Sequence, residues 1–262
     1  MCFPPGARPP EIPESLRPIS GGAGGEDVTI KSPDGAMFRA FVAKAQQGDV
    51  GVVIAPDVRG LHRFYEELAE RFASAGVHAI AFDYFGRTAG TSKRPDDFAF
   101  QEHVTAARAR PDLIQADVAA SASELKRRTG ASRIFVLGFC MGGRIAFNAS
   151  AEQQGLAGVV GFYGVTRRRD ESDKDAPIDK VERMRAPALG LFGGADSGIP
   201  ADDNANFEKA LQDRKIPHHL VTYPGAPHSF FDRSFADFTK DCDDAWRRVL
   251  GFMSSGDPTA VK

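Results

Sequence analysis

Residues 133–147 read RIFVLGFCMGGRIAF. Arg133 to Phe139 is an apolar, β-branched run, the mark of a buried strand, and an amphipathic segment starts just beyond Cys140. The spacing therefore predicts a strand, a sharp turn at Cys140 and a helix. A side chain at such a turn faces the helix N-terminus, whose unpaired N–H groups and dipole favour negative charge. Gly138 and Gly142, each two residues from Cys140, leave room for the turn, and Gly143 lets helix and sheet approach closely. The pattern G-x-C-x-G is a nucleophile elbow with sulfur in place of the usual serine oxygen. A bare match would also fit an inert core cysteine. The strand-to-helix context is what favours the nucleophile.

Working outward, the flanking segments alternate between strand and helix patterns. Val50–Ala55, Val77–Phe82, Ala157–Phe162, Ala188–Phe192 and His219–Tyr223 read as strands, with Val28–Lys31 and Ala36–Val42 as an edge hairpin around the turn Pro33-Asp34-Gly35. Phe64–Phe72, Leu113–Arg128, Ala201–Asp213 and a closing segment carrying Phe238, Cys242, Ala245, Val249 and Phe252 show helical periodicity. This order predicts an α/β class chain, a mostly parallel sheet covered by helices on both faces, with ligands at the carboxyl ends of the strands. Residues 88–111 are mixed and charged, so a lid or an extra short helix is expected there. The charged stretch 167–180 suggests a solvated excursion. Residues 1–26, rich in Pro and Gly, read as an extended or partly disordered arm, 27–255 as one domain and 256–262 as a tail.

Composition narrows the function classes. The chain has 262 residues and a formal net charge of −2, enough for one substantial core and no basic stripe for nucleic acid. No run of about 18 apolar residues would span a membrane, and the first residues lack the basic and apolar regions of a secretion signal, so a cytoplasmic location is expected. The three cysteines, Cys2, Cys140 and Cys242, lack framework spacing and suit a reducing compartment. Cys242 falls on a buried helical stripe. His218-His219 has no acidic or sulfur partner at ligand spacing, so no metal site is expected.

A cysteine nucleophile needs a base, and the base needs a group that orients it. On this type of sheet they follow in the order nucleophile, acid, histidine. Asp196 in GGADSGIP and His228 in PGAPHSFF supply both, each just past a strand. The oxyanion donors expected on this plan are the N–H groups of Met141 and Val58, the latter in APDVRG beside Asp57.

The chain resembles the dienelactone hydrolases, the cysteine branch of the α/β-hydrolase superfamily. The likeness runs from about Val50 to Phe252 and rests on GFCMGG, GGADSGIP, PGAPHSFF and FDYFGR. It implies an α/β-hydrolase fold and hydrolysis of a small-molecule lactone or ester by Cys140, His228 and Asp196, with no metal and no cofactor. It further implies a substrate carboxylate held by Arg87 and by Arg233, and a carboxylate at position 57 that contacts the resting thiol and helps activate it. The sequence departs from the family's archetypes by carrying Asp57 where they place glutamate and Arg233 one residue further from its histidine. Acyl transfer to an acceptor other than water, a generalist carboxylesterase and a non-catalytic binding protein are the rival readings.

Overall fold

The computed structural model describes residues 8–16, 24–95, 97–153 and 155–262. The order of elements is β1 (Glu26–Lys31), β2 (Met37–Ala43), β3 (Val50–Ala55), α1 (Arg63–Ser74), β4 (His78–Phe82), α2 (Gly86–Ala89), α3 (Gln101–Ala109), α4 (Pro111–Thr129), β5 (Arg133–Phe139), α5 (Met141–Glu152), β6 (Gly158–Phe162), α6 (Pro177–Lys180), β7 (Ala188–Gly193), α7 (Ala201–Asp213), β8 (His218–Tyr223) and α8 (Thr239–Ser255).

The eight strands form one sheet in the order β1-β2-β4-β3-β5-β6-β7-β8. The β1–β2 and β2–β4 pairs are antiparallel, and every other pair is parallel. Every residue of β3, β4, β6 and β7 is buried, as expected of strands covered on both faces. The fold is that of an α/β hydrolase, as expected, and the strands differ from the sequence reading by one or two residues at their ends. Parallel connections run β3 to β4 and β5 to β6 to β7 to β8, so the loops that leave β3, β5, β6, β7 and β8 gather at one edge.

An aromatic chain joins the elbow strand to the outer layer. Phe139 stacks on Phe162 at 4.6 Å, Phe162 meets Phe231 at 4.6 Å, Phe231 meets Trp246 of α8 at 5.5 Å, and Trp246 meets Phe72 of α1 at 5.1 Å. Each such pair adds about 0.5–1.5 kcal/mol beyond burial alone.

The charged segments are tied down rather than loose. Arg94 pairs with the buried Asp83 at 2.9 Å and Lys93 with Glu66 at 2.7 Å, which fixes the chain leading into α3, the extra helix of 88–111. Residues 167–180 end in α6 and are clamped by Arg144–Asp173 and Lys180–Asp175. Of the N-terminal arm, residues 1–7 and 17–23 lie outside the described residues. Residues 8–16 pack on the domain: Ile12 is buried, Glu11 pairs with Arg71 of α1 at 2.7 Å, and the Trp246 indole N–H donates to the Pro10 carbonyl at 3.3 Å. The tail also folds back, with the Lys262 N–H donating to the Arg247 carbonyl. The sequence suggests an extended or partly disordered arm; its residues 8–16 are seated on the domain by these contacts. Among the described residues no helix is long and apolar enough to cross a membrane.

Candidate active site

Cys140 stands between β5 and α5 with φ of 55°, a left-handed conformation that a non-glycine residue holds only when its surroundings enforce it. The enforcement is visible. The Cys140 N–H donates to the carbonyl of Phe162 at the end of β6, and the Cys140 carbonyl accepts from Arg144 N–H in the first turn of α5. A Cβ on Gly142 would fall 2.0 Å from the Ala55 carbonyl oxygen, and one on Gly138 would fall 2.0 Å from that of Gly142. Only glycines let α5 drop this close to the ends of β3 and β5. The side chain of Cys140 is half-buried at the sheet edge, whereas Cys242 is enclosed and its thiol is pushed up by burial. Cys242 is thus a core residue, as its stripe predicted, and Cys2 lies outside the described residues.

The histidine and its acid arrive from the next loops along the same edge. His228 Nδ1 lies 2.6 Å from Asp196 Oδ2, and Asp196 Oδ1 accepts the Gly198 N–H at 2.9 Å. Asp196 is buried and His228 only partly so, which leaves the imidazole accessible beside a shielded carboxylate. Tyr163, directly after the Phe162 that holds Cys140, has its ring 4.9 Å from the His228 ring. One strand end, Phe162-Tyr163, therefore contacts both the cysteine turn and the imidazole.

Asp57, at the end of β3, is fully buried. Its Oδ1 accepts the Arg59 N–H at 2.9 Å, its own N–H donates to Tyr65 Oη at 2.8 Å, and Tyr84 Oη donates to its carbonyl. Gly142, two residues after Cys140, lies against the Ala55 and Pro56 carbonyls, so the loop carrying Asp57 and Val58 leaves β3 beside the cysteine turn. His62 approaches Asp57 to 3.9 Å, but burial pulls its pKa down to about 3 and it is neutral.

Asp232 reaches the candidate residues through Tyr163, whose ring neighbours that of His228. It is buried, accepts a hydrogen bond from Tyr163 Oη at 2.6 Å, and interacts electrostatically with Asp57 and His228. Burial pushes its carboxyl up to about 8. Tyr163, with φ of 37°, is missed by sequence reading; its one signal is its position at the carboxyl end of a strand.

The family profile of the "Dienelactone hydrolase family" matches residues 38–256, most of the chain. The chain belongs to the dienelactone hydrolase family. With that family it is a hydrolase of ester bonds. An Escherichia coli (strain K12) protein, provisionally named a carboxymethylenebutenolidase, is 27% identical over 243 residues, covering 84% of this chain and 88% of that protein. A Bradyrhizobium protein, provisionally named a 2-oxo-3-(5-oxofuran-2-ylidene)propanoate lactonase, is 28% identical over 210 residues, covering 77% and 82%. Among solved structures, a provisionally named dienelactone hydrolase of Klebsiella pneumoniae superposes with a TM-score of 0.74 at 25% identity, covering 89% of this chain and all of that one. A Mycobacterium tuberculosis puromycin-hydrolyzing peptidase shares the fold, with a TM-score of 0.73 at 17% identity over 91% of this chain and 41% of its own.

The two arginines that the dienelactone hydrolase resemblance assigned to a substrate carboxylate differ in their surroundings. Arg87, in α2, is bound by Asp117 of α4 and Asp34 of the β1–β2 turn, and its Nη2 also donates to Ser32. Its charge is answered within the protein, and a substrate carboxylate would have to displace two carboxylates to reach it. Arg233 is exposed, in the turn after His228, and its main-chain N–H donates to Asp232.

Proposed function

We propose that this protein hydrolyses a lactone or carboxylic ester through a cysteine acyl-enzyme, with Cys140 as nucleophile, His228 as base and Asp196 as the group that orients the imidazole. The observation that carries this reading is the 2.6 Å contact of His228 Nδ1 with a buried Asp196, at the same sheet edge as a cysteine held at φ 55°. With Nδ1 engaged by Asp196, Nε2 is the nitrogen that exchanges protons with sulfur and leaving group.

The Cys140 sulfur bonds to the carbonyl carbon while its proton passes to His228, and the carbonyl oxygen takes up the negative charge. The N–H groups of Met141, first residue of α5, and of Val58 stabilise that oxygen. The tetrahedral carbon then expels the alkoxide, which receives the proton from His228 and leaves a thioester. In a lactone the leaving alcohol stays tethered to the acyl group. Water, deprotonated by the same imidazole, attacks the thioester, and the thiolate leaves and is reprotonated. Asp57 modulates the thiol from the β3 loop. A thiolate suits activated esters and lactones better than amides, which ranks peptide hydrolysis below them. The provisional lactonase name of the Bradyrhizobium relative, whose substrate is a propanoate, supports an acid-bearing lactone.

The test is alkylation and turnover measured together. Iodoacetamide should label Cys140 in the resting protein and abolish hydrolysis of a lactone or aryl ester, and substrate should protect the thiol. Near wild-type turnover by Cys140→Ala would overturn the assignment.

A further inference from the structure

Two neighbouring residues at the end of β6 link the cysteine turn to the imidazole. The Phe162 carbonyl accepts the Cys140 N–H at 3.0 Å, and the Tyr163 ring lies 4.9 Å from that of His228. The backbone that joins them is fixed from two further sides. The Tyr163 N–H donates to the Leu191 carbonyl of β7 at 2.8 Å, and a Cβ on Gly143 of α5 would fall 2.6 Å from the Phe162 carbonyl oxygen. A shift of this dipeptide would therefore change the separation of sulfur and imidazole.

Tyr163 is fully buried and holds φ at 37°, where a tyrosine is strained and a glycine would not be. What the strained backbone delivers is the side chain. Its hydroxyl donates to Asp232 Oδ2 at 2.6 Å, and Phe230 meets its ring edge-on at 5.8 Å. His228 and Asp232 come from one turn, in which the Asp232 and Ser234 N–H groups both donate to the Ser229 carbonyl. That turn grips the tyrosine twice, by the imidazole at its ring and by the carboxyl at its hydroxyl. Burial pushes the Asp232 carboxyl up to about 8, so at neutral pH it leaves Asp196 as the anionic partner of the imidazole. Asp196 holds the imidazole at Nδ1, and the His228 side chain is 32% exposed. A hydrogen bond at one ring atom permits rocking about that atom, and a tethered ring alongside restrains it.

We infer that Tyr163, tethered by Asp232, is a positioning residue that sets the His228 imidazole against Cys140 for proton transfer. The inference rests on the proposed function for what the imidazole does, but the residue pair is its own. Tyr163 exchanges no proton in this role and acts through His228.

Two measurements test it. The first is the hydrolysis of 4-nitrophenyl acetate. Tyr163→Phe keeps the ring and loses the tether, so kcat should fall about tenfold while KM stays within about twofold of wild type. Asp232→Leu should match that fall, whereas Asp232→Asn, which can still accept the hydroxyl, should retain most of the wild-type kcat. Tyr163→Phe combined with Asp232→Leu should fall no further than either alone. Where Asp232→Leu does not fold, Tyr163→Phe and Asp232→Asn decide. A purely structural pair would lower Tm and leave kcat per folded molecule intact, which overturns the inference.

The second measurement involves no turnover: the exchange with water of the His228 Nδ1 proton, assigned in NMR spectra by its loss in His228→Gln. Exchange should quicken about tenfold in Tyr163→Phe and stay near the wild-type rate in Asp232→Asn. Unchanged exchange in Tyr163→Phe overturns the inference, whatever kcat does. Quickened exchange in Tyr163→Phe, in a protein whose Cys140→Ala variant still turns over, leaves the hold on the imidazole standing and sinks the acyl-enzyme reading instead.

Discussion

Arg87 Nη2 lies 2.9 Å from Oδ1 of Asp117, a carboxylate with no solvent exposure, so the arginine closes an internal ion pair between α2 and α4. Burial raises the Asp117 carboxyl while Asp34, at the rim, is lowered to about 2 by the same guanidinium. Removing Arg87 should therefore strand Asp117. Arg87→Ala is expected to cost about 3 kcal/mol, the lower end for breaking a buried pair, read as a reduced urea midpoint. Arg87→Ala combined with Asp117→Asn should recover part of that loss. An unchanged midpoint, with loss of affinity for acidic substrates alone, would return Arg87 to the substrate.

Asp196→Asn should keep the fold, because one side-chain oxygen can still accept the Gly198 N–H, while the imidazole loses its anionic partner. Turnover is expected to drop by about a thousandfold or more. Ester turnover and circular dichroism on the same preparation decide it: loss of activity together with secondary structure would mean a structural acid.

Gly142→Ala brings a methyl to within 2.0 Å of the Ala55 oxygen and 2.5 Å of the Pro56 oxygen, both backbone atoms that cannot swing away. Overpacking of this kind costs about 3 kcal/mol, or about 6–12 °C in Tm for a domain of this size. A Tm within 2 °C of wild type, measured by scanning calorimetry, would contradict this account of the elbow.

For Asp232, burial lifts the carboxyl from its ordinary 3.8 to about 8, so the folded chain keeps a proton that the unfolded chain releases. Below the lower value both states are protonated and nothing is lost. Between the two values stability falls as pH rises, and above the upper one the whole penalty is present. Asp232→Asn should flatten the fall in Tm between pH 5 and pH 9 relative to wild type, since asparagine can still accept from Tyr163. Parallel Tm–pH curves for the two proteins would show that Asp232 is already ionised.

Much of this arrangement was legible locally. The strand 133–139, the Cys140 turn and the helix after it are specified by adjacent residues, and the continuous apolar run 50–55 marks a strand with both faces covered. Asp196 and His228 could be read because each follows its strand directly. What escaped notice depends on partners with no common period. Arg87 meets Asp117 across 30 residues and Asp34 across 53, and Tyr163 meets Asp232 across 69. The run Arg167-Arg168-Arg169 looks like any solvated charge cluster. Only the folded loop separates Arg167, paired with Asp203, and Arg168, paired with Asp179, from Arg169, which lines a cleft with Met141.

The turn at Cys140 is held by groups from three strands: the Ala55 and Pro56 carbonyls behind Gly142, the Gly138 backbone, and the Phe162 carbonyl that takes the Cys140 N–H. Residues 55 and 162 are brought together only by completed β3–β5–β6 pairing. During refolding the left-handed conformation of Cys140 is therefore a late product of long-range assembly, and intermediates that carry helices but lack the central sheet do not yet hold it. Recovery of activity after denaturant dilution should lag helix formation, giving a kinetic clock for closure of the sheet.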